Sequence, residues 1–174
     1  MAITIDSTVS GLSANSYVTL AEANAYFALR PRSTVWEDAD SEDKQKALLQ
    51  AARILDTRVA WKGTIVNYEQ LMAWPRHNVR DYTANDGSML RFDRIPRWLK
   101  EAQYEQAFDI LNRDTIAESE SDGIASLSVG PISISYESGG AMEFTLPRPV
   151  RDLIQHYGDF QDGASSGTVP VVRS

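Results

Sequence analysis

The chain has 174 residues, of which 43% are hydrophobic and 24% are charged, a balance that is typical of one globular domain and excludes a wholly disordered or collagen-like chain. It contains no cysteine, which excludes a disulfide framework, a thiolate metal site and a cysteine nucleophile. Its formal net charge of −7 argues against wrapping of duplex DNA through general phosphate neutralisation.

The first helix is predicted from a capping motif. Thr19-Leu20-Ala21-Glu22 has the form in which the threonine and glutamate side chains each satisfy a free backbone amide at the helix start. We expect this helix to run to about Leu29, because Pro31 disfavours helical conformation in the residue before it. Residues 1–18 alternate apolar and polar side chains, which predicts an extended arm or an edge strand.

Two longer helices follow. Asp40 or Ser41 can cap the second helix. Its apolar side chains recur at the spacing of one buried face: Leu48, Ala51, Ala52, Leu55 and Val59. The third helix opens at Ile95-Pro96, since proline is tolerated in a first turn. Between them, residues 60–94 have no sustained period and are predicted to form a long central loop, which in a folded domain is usually functional or ordered by a partner.

The last part of the chain predicts a β-hairpin, a short helix and a tail. Residues 125–138 alternate apolar residues with serines around Gly130-Pro131, which is a hairpin pattern. A two-turn amphipathic helix follows Pro149, and residues 158–174 are expected to form a flexible tail. We predict a mainly α fold: a small helical bundle with a long central loop, a β-hairpin and extended terminal arms, in a single domain over residues 1–157.

Recognisable enzyme motifs do not occur in the sequence. It has no phosphate-binding loop, dinucleotide-binding fingerprint, H-E-x-x-H motif or calcium loop. Neither His77 nor His156 has a motif partner, so each is expected to be a surface or interface residue. We predict no catalytic activity, no cofactor and no metal. The sequence also lacks an apolar run of membrane-spanning length and a secretory signal, so we expect synthesis in the cytosol.

Charge is unevenly distributed along the chain. Residues 1–60, 61–113 and 114–174 carry net charges of −2, +1 and −6. The acidic last part is either a solvated, repelling segment or a surface matched to a basic partner. In the middle, cations are interleaved with rings: Lys62, Arg76, Arg80, Arg91, Arg94, Arg97 and Lys100 among Trp61, Trp74, Tyr82, Phe92 and Trp98.

This mixture of cations and rings permits three interpretations. Single-strand binders use guanidinium groups along the phosphates and rings against the bases. Protein interfaces are enriched in the same residue types. Alternatively, the tryptophans simply anchor the loop to the helices. The candidate interface residues are Trp61, Tyr68, Trp74, Arg76, Arg80, Arg91 and Arg94.

Four segments carry a family resemblance: SANSYVTLAEANAYF at 13–27, ALLQAARILD at 47–56, WKG at 61–63 and QLMAWPR at 70–76. In order and spacing they resemble the head-to-tail adaptor (connector, head-completion) proteins of tailed bacteriophages, over roughly residues 13–157. Some relatives carry the label of DnaT-like single-stranded-DNA-binding protein.

The resemblance implies a structural virion protein that assembles as a ring, commonly of twelve copies, between the portal and the tail. Such a ring extends the DNA channel and docks the next neck or tail protein at the head-tail junction. The implied partners are the portal protein, neck or tail proteins, further copies of the chain, and DNA that passes through the lumen without tight binding. An acidic chain suits such passage, because it repels phosphates.

Two sets of residues follow from these hypotheses. By position in the resemblance, the candidate portal-binding residues are Leu153, Ile154, Tyr157, Val169, Val171 and Val172. The alternative function is single-stranded-DNA binding of the DnaT-like type, and its candidate residues are Trp61, Trp74, Arg76, Arg80 and Trp98.

Overall fold

Helices and short strands alternate along the chain in the computed structural model, which describes residues 4–84, 86–112, 126–129, 132–135 and 146–161. The helices in these ranges are α1 (Leu20–Phe27), α2 (Thr34–Asp38), α3 (Ser41–Arg58), α4 (Arg97–Asn112) and α5 (Arg148–Ile154). The strands are β1 (Val59–Trp61), β2 (Thr64–Ile65), β3 (Arg76–His77), β4 (Ser126–Val129), β5 (Ile132–Ser135) and β6 (Gly158–Phe160). They pair as two-stranded antiparallel sheets, β1 with β6, β2 with β3 and β4 with β5. The predicted helix-rich class is confirmed.

Side-chain caps fix the starts of α1 and α3. The Glu22 amide donates to Thr19 Oγ1 at 3.2 Å, and the Thr19 amide donates to Glu22 Oε2 at 2.8 Å, so the predicted capping box is present. The Asp43 amide donates to Asp40 Oδ1 at 2.7 Å at the start of α3. α2 was not predicted. No helix within the described ranges is long and apolar enough to cross a membrane.

Helices α3 and α4 pack against each other at the centre of the core. Leu48, Ala51 and Leu55 of α3 are fully buried, as their spacing predicts. Helix α5 also packs on α4 and buries Val150 and Ile154. The core therefore depends on contacts between helices that are far apart in sequence.

A buried glutamine ties the N-terminal loop to both central helices. Gln103 of α4 is fully buried, and its Nε2 donates to Ser16 Oγ at 2.8 Å and to the Leu48 carbonyl at 2.9 Å. Its Oε1 accepts from the Tyr17 amide at 3.0 Å. Because its polar atoms are paired, the amide links three segments instead of destabilising the core.

Residues 158–160 belong to a sheet and not to the predicted tail. They form β6, which pairs with β1 directly after α3. A Cβ atom on Gly158 would lie 2.4 Å from Val59 Cγ1, so a glycine is required where the two strands meet. The tail prediction for 158–174 is therefore wrong for its first residues, and residues 162–174 lie outside the described part of the chain.

The N-terminal segment differs from its prediction, whereas the hairpin agrees with it. Residues 4–18 form a loop in which the Asp6 amide donates to Asn15 Oδ1 at 2.8 Å and the Asn15 amide donates to the Asp6 carbonyl at 2.9 Å. Such local bonds replace the pairing of the expected arm or edge strand. Strands β4 and β5 confirm the hairpin predicted at 125–138, and its other residues are outside the described ranges.

The central loop, residues 60–94, is held by side-chain hydrogen bonds and short strand pairs. Gln70 Nε2 donates to the carbonyls of Met72 at 2.8 Å and Pro75 at 3.2 Å, and its Oε1 accepts from the Asn67 amide at 3.1 Å. β2 pairs with β3 inside the same loop. The loop thus has a defined path without regular periodicity, which is why its sequence predicts no long element.

Candidate nucleic-acid interface

The three tryptophans of the central region are buried together. Trp61, Trp74 and Trp98 are 9%, 1% and 8% exposed. The ring centroid of Trp74 lies 5.7 Å from that of Trp61 and 5.2 Å from that of Trp98, each pair edge to face. Tyr157 stacks on Trp98 at 3.9 Å. Buried rings cannot stack on bases, so their burial favours the interpretation that they anchor the loop to the helices.

Arg76 is engaged by the loop itself. Its guanidinium donates to the carbonyls of Lys62 at 2.7 Å, Gly63 at 2.7 Å and Ala73 at 3.2 Å. These bonds tie β3 to the turn after β1. Since the planar donor group already has three carbonyl acceptors, Arg76 is a structural residue of this loop.

Three other predicted interface residues are exposed. Tyr68 is 94% exposed. Arg91 and Arg94 both pair with Asp93, and the hydrogen bond from Arg91 lowers the pKa of Asp93 to about 2. This carboxylate partly neutralises the two arginines, so they offer less charge to a phosphate than unpaired cations would.

The candidate portal-binding residues do not form one exposed surface. Ile154 and Tyr157 are buried in the core and Leu153 is partly buried against it, because α5 uses its apolar face to pack on α4. Val169, Val171 and Val172 lie outside the described residues.

The structure brings four side chains together at the surface, which we call the basic aromatic cluster: Lys62, Arg80, Tyr82 and His156. The Arg80 guanidinium lies 5.7 Å from the centroid of the Tyr82 ring, and the His156 ring stacks on Tyr82 at a centroid distance of 5.3 Å. Lys62 Nζ donates to the His156 carbonyl at 3.1 Å. Tyr82 is 44% exposed, so this ring is accessible where the tryptophans are not.

Strand-like pairing inside the central loop positions the cluster. Arg80 forms an antiparallel bridge with Met89, flanked by bonds from the Leu90 amide to the Val79 carbonyl and from the Asp81 amide to the Ser88 carbonyl, both 2.8 Å. Successive side chains of such a ribbon point to opposite faces. Because Val79 is buried, Arg80 is directed outward.

The opposite side of the cluster is fixed by the end of α5. The Lys62 amide donates to the Tyr157 carbonyl at 2.9 Å, which places Lys62 beside His156. The rings of Tyr82 and Tyr157 meet edge to face at a centroid distance of 5.5 Å. Two segments almost a hundred residues apart in sequence therefore build one surface site.

A groove of about 620 Å³ opens beside the cluster, and we call it the aromatic groove. Its apolar lining residues are Tyr82, Leu90, Pro96, Trp98, Leu153 and Tyr157. Its charged lining residues are Asp81, Arg97, Glu101 and Asp152, with His156 at the boundary with the cluster. Three carboxylates against one guanidinium give the groove a negative balance, in contrast with the neighbouring basic aromatic cluster.

A half-buried carboxylate that sequence reasoning missed, Asp56, lies elsewhere, at the end of α3. Asp56 accepts a short hydrogen bond from the Tyr17 hydroxyl and a 3.0 Å bond from the Ala73 amide. Burial raises the pKa of Asp56 to about 6, and it also raises the pKa of Tyr17. Both carboxylate oxygens accept hydrogen bonds, so Asp56 connects the end of α3 to Tyr17 of the N-terminal loop and to Ala73 of the central loop. In the sequence, the feature that could have identified Asp56 is its position directly after Leu55, which belongs to the apolar stripe of this helix.

No group of three or more histidine, aspartate or glutamate side chains in the described ranges could hold a metal ion. Of the residues proposed for strand binding from sequence, Arg80 is at the cluster, whereas Trp61, Trp74, Trp98 and Arg76 are not. Lys62 and Tyr82 are among the interleaved cations and rings that the sequence shows in its middle part, whereas His156 lies outside that part of the chain.

Comparison with known proteins corrects the main functional prediction. No curated protein and no solved structure matches the chain. A family model described as "Putative DnaT-like ssDNA binding protein" matches residues 1–174. The predicted function as a virion connector ring is wrong, since the matching family agrees with the alternative; the expected partners and location stay untested predictions. The chain belongs to this DnaT-like family over its whole length.

Proposed function

We propose that the protein binds single-stranded DNA at the basic aromatic cluster. The observation that carries the proposal is the exposed Tyr82 ring with Arg80 over it and Lys62 nearby. Single-strand binders combine cations that follow the backbone with rings on which bases stack, at about 1–3 kcal/mol per base. The family description supports the same ligand.

The contact between Arg80 and Tyr82 is long enough for a base to replace it. At 5.7 Å from the ring centroid, the guanidinium is near the ~6 Å limit of a cation–π contact. Arg80 can swing toward a phosphate while the base takes its place over the ring. Because this contact uses the backbone and a ring face, binding at the basic aromatic cluster itself does not distinguish one base from another.

The charge of the chain sets the expected affinity. With a net charge of −7, binding depends on local cations and is expected to be weak and salt-sensitive. If Lys62 and Arg80 each neutralise one phosphate, log K should fall with log salt with a slope of about −1.4. A base stacked on Tyr82 adds binding free energy that does not depend on the salt concentration.

The test is fluorescence anisotropy of a labelled 12-nucleotide single strand at low salt. Tyr82→Ala and Arg80→Ala are each expected to weaken binding by about tenfold or more. The matched controls are Tyr68→Ala and Arg53→Ala, which remove an exposed ring and an exposed arginine outside the cluster and should leave affinity within about twofold. Equal losses of affinity in the two cluster variants and the two control variants would contradict the proposal. So would the absence of binding by the wild-type protein.

A further inference from the structure

The aromatic groove and the basic aromatic cluster share one edge. Tyr82 and His156 belong to both. The groove volume of about 620 Å³ lies within the ~300–1,000 Å³ range of pockets that hold small organic groups. A strand bound at the cluster therefore lies next to the groove, because Tyr82 and His156 border both.

Charge decides which part of the strand can enter. Asp81, Glu101 and Asp152 line the groove, and Arg97 is already paired with Glu101 at 2.7 Å. Such a lining repels a phosphate but accepts hydrogen bonds from N–H groups. The phosphates stay at Lys62 and Arg80, and an uncharged base turns inward.

We infer that the aromatic groove receives one unpaired base of the bound strand and prefers guanine, an inference that rests on the proposed function. Asp81 and Asp152 both line the groove and supply carboxylate oxygens as acceptors, and guanine presents two adjacent donors, N1–H and the N2 amino group. Adenine and cytosine offer an amino group alone. Thymine offers one N–H between two carbonyls, which the carboxylates repel.

Asp81 is suited to this role by its local bonds. The Thr83 amide, the Thr83 hydroxyl and the Ala84 amide donate to Asp81 Oδ1, at 2.8, 2.6 and 3.3 Å. These donors within the described residues fix the carboxylate and lower the pKa of Asp81. The group is held ionised, and because all three donors use Oδ1, Oδ2 is the oxygen that can accept from a base.

The experiment compares labelled dT12 with the same strand carrying one central guanine, a design that avoids guanine quadruplexes. We expect the guanine strand to bind the wild-type protein about tenfold more tightly, since two hydrogen bonds to one base edge give discrimination of this order. The Asp81→Asn/Asp152→Asn variant should reduce the preference to less than twofold. Asparagine keeps an acceptor for the Thr83 turn, and Asp152→Asn alone, on an exposed side chain, should give a partial loss.

The matched control is Asp86→Asn, which removes the same charge from another turn of the central loop, where the Ser88 amide donates to Asp86 Oδ1 at 2.9 Å. It should keep the full preference for guanine. Equal binding of the two strands by the wild-type protein would overturn the inference and leave the proposed function standing. Failure to bind either strand would contradict the proposed function itself. If the double variant kept the preference for guanine, the base would bind outside the aromatic groove, and the inference would be overturned.

Discussion

The tryptophans and Tyr82 belong to the same stretch of rings and arginines, yet their environments are opposite. Trp74 lies between Trp61 and Trp98 in the core, whereas Tyr82 keeps nearly half of its surface exposed beside two cations. The comparison teaches that a composition typical of strand binding can be divided between a core and a surface site. Only the surface part is available to a ligand.

Among the variants that distinguish the buried tryptophans from the surface site, Trp74→Ala should have the largest effect on stability. This ring is 1% exposed, and its removal leaves a cavity between two other tryptophans, so we expect a loss of about 3–5 kcal/mol in the free energy of unfolding. Urea denaturation measures it. Tyr68→Ala is the control and should change stability by less than about 0.5 kcal/mol. A similar small change for Trp74→Ala would place that ring outside the core.

The second prediction concerns the pH dependence of stability at Asp56. Its folded pKa of about 6 exceeds the ~3.9 of an unfolded aspartate, so the folded state binds the proton more strongly. This group therefore stabilises the fold at low pH, and the contribution is lost as pH rises from about 4 to about 6. The total is roughly 3 kcal/mol, at about 1.4 kcal/mol per pKa unit.

Asp56→Asn isolates this contribution. Several exposed carboxylates, such as Asp93, have lowered pKa values and act in the opposite direction, since they lose stabilisation as pH falls. The difference in unfolding free energy between wild type and Asp56→Asn, measured at pH 4 and pH 7, removes their effect. Asp159→Asn, on an exposed position of β6, is the control and should keep the wild-type pH dependence. A pH-independent difference for Asp56→Asn would show that the Asp56 carboxylate does not titrate in this range.

Local signals predicted the helices well, because they depend on neighbours in sequence. Thr19 and Asp40 cap their helices through residues three positions later, and the stripe that includes Leu55 lies on one face of one helix. α2 has only five residues, too few to show a period. β6 depends on pairing with β1 about a hundred residues earlier, which no local pattern records.

The candidate site was only partly predictable for the same reason. Arg80 and the residue types of the site were found from the sequence, but the burial of Trp61 and Trp74 depends on Trp98 and on packing between distant helices. His156 reaches Tyr82 only because α5 packs on α4. The sequence therefore predicted the chemistry of the interface, and the three-dimensional contacts selected which residues can perform it.

A third prediction uses two arginines of the central loop. Arg76→Lys keeps the charge but cannot reproduce three guanidinium bonds to carbonyls, so we expect a loss of about 1–3 kcal/mol in stability. Arg80→Lys should cost less than about 0.5 kcal/mol, because Arg80 is exposed. Thermal or urea unfolding of the two variants side by side gives the comparison. Equal losses would mean that the distinction between structural and surface arginines is wrong.

The smallest effect should come from Arg91→Ala. Arg91 is exposed and paired with Asp93, and exposed ion pairs contribute about 0–1 kcal/mol to stability. A strand would have to compete with Asp93 for this guanidinium, so anisotropy with the 12-nucleotide strand should show a loss of less than about twofold, against tenfold for Arg80→Ala. A loss as large as that of Arg80→Ala would extend the interface to the segment around Asp93. The site would then continue along the ribbon past Met89, and a longer strand would be needed to fill it.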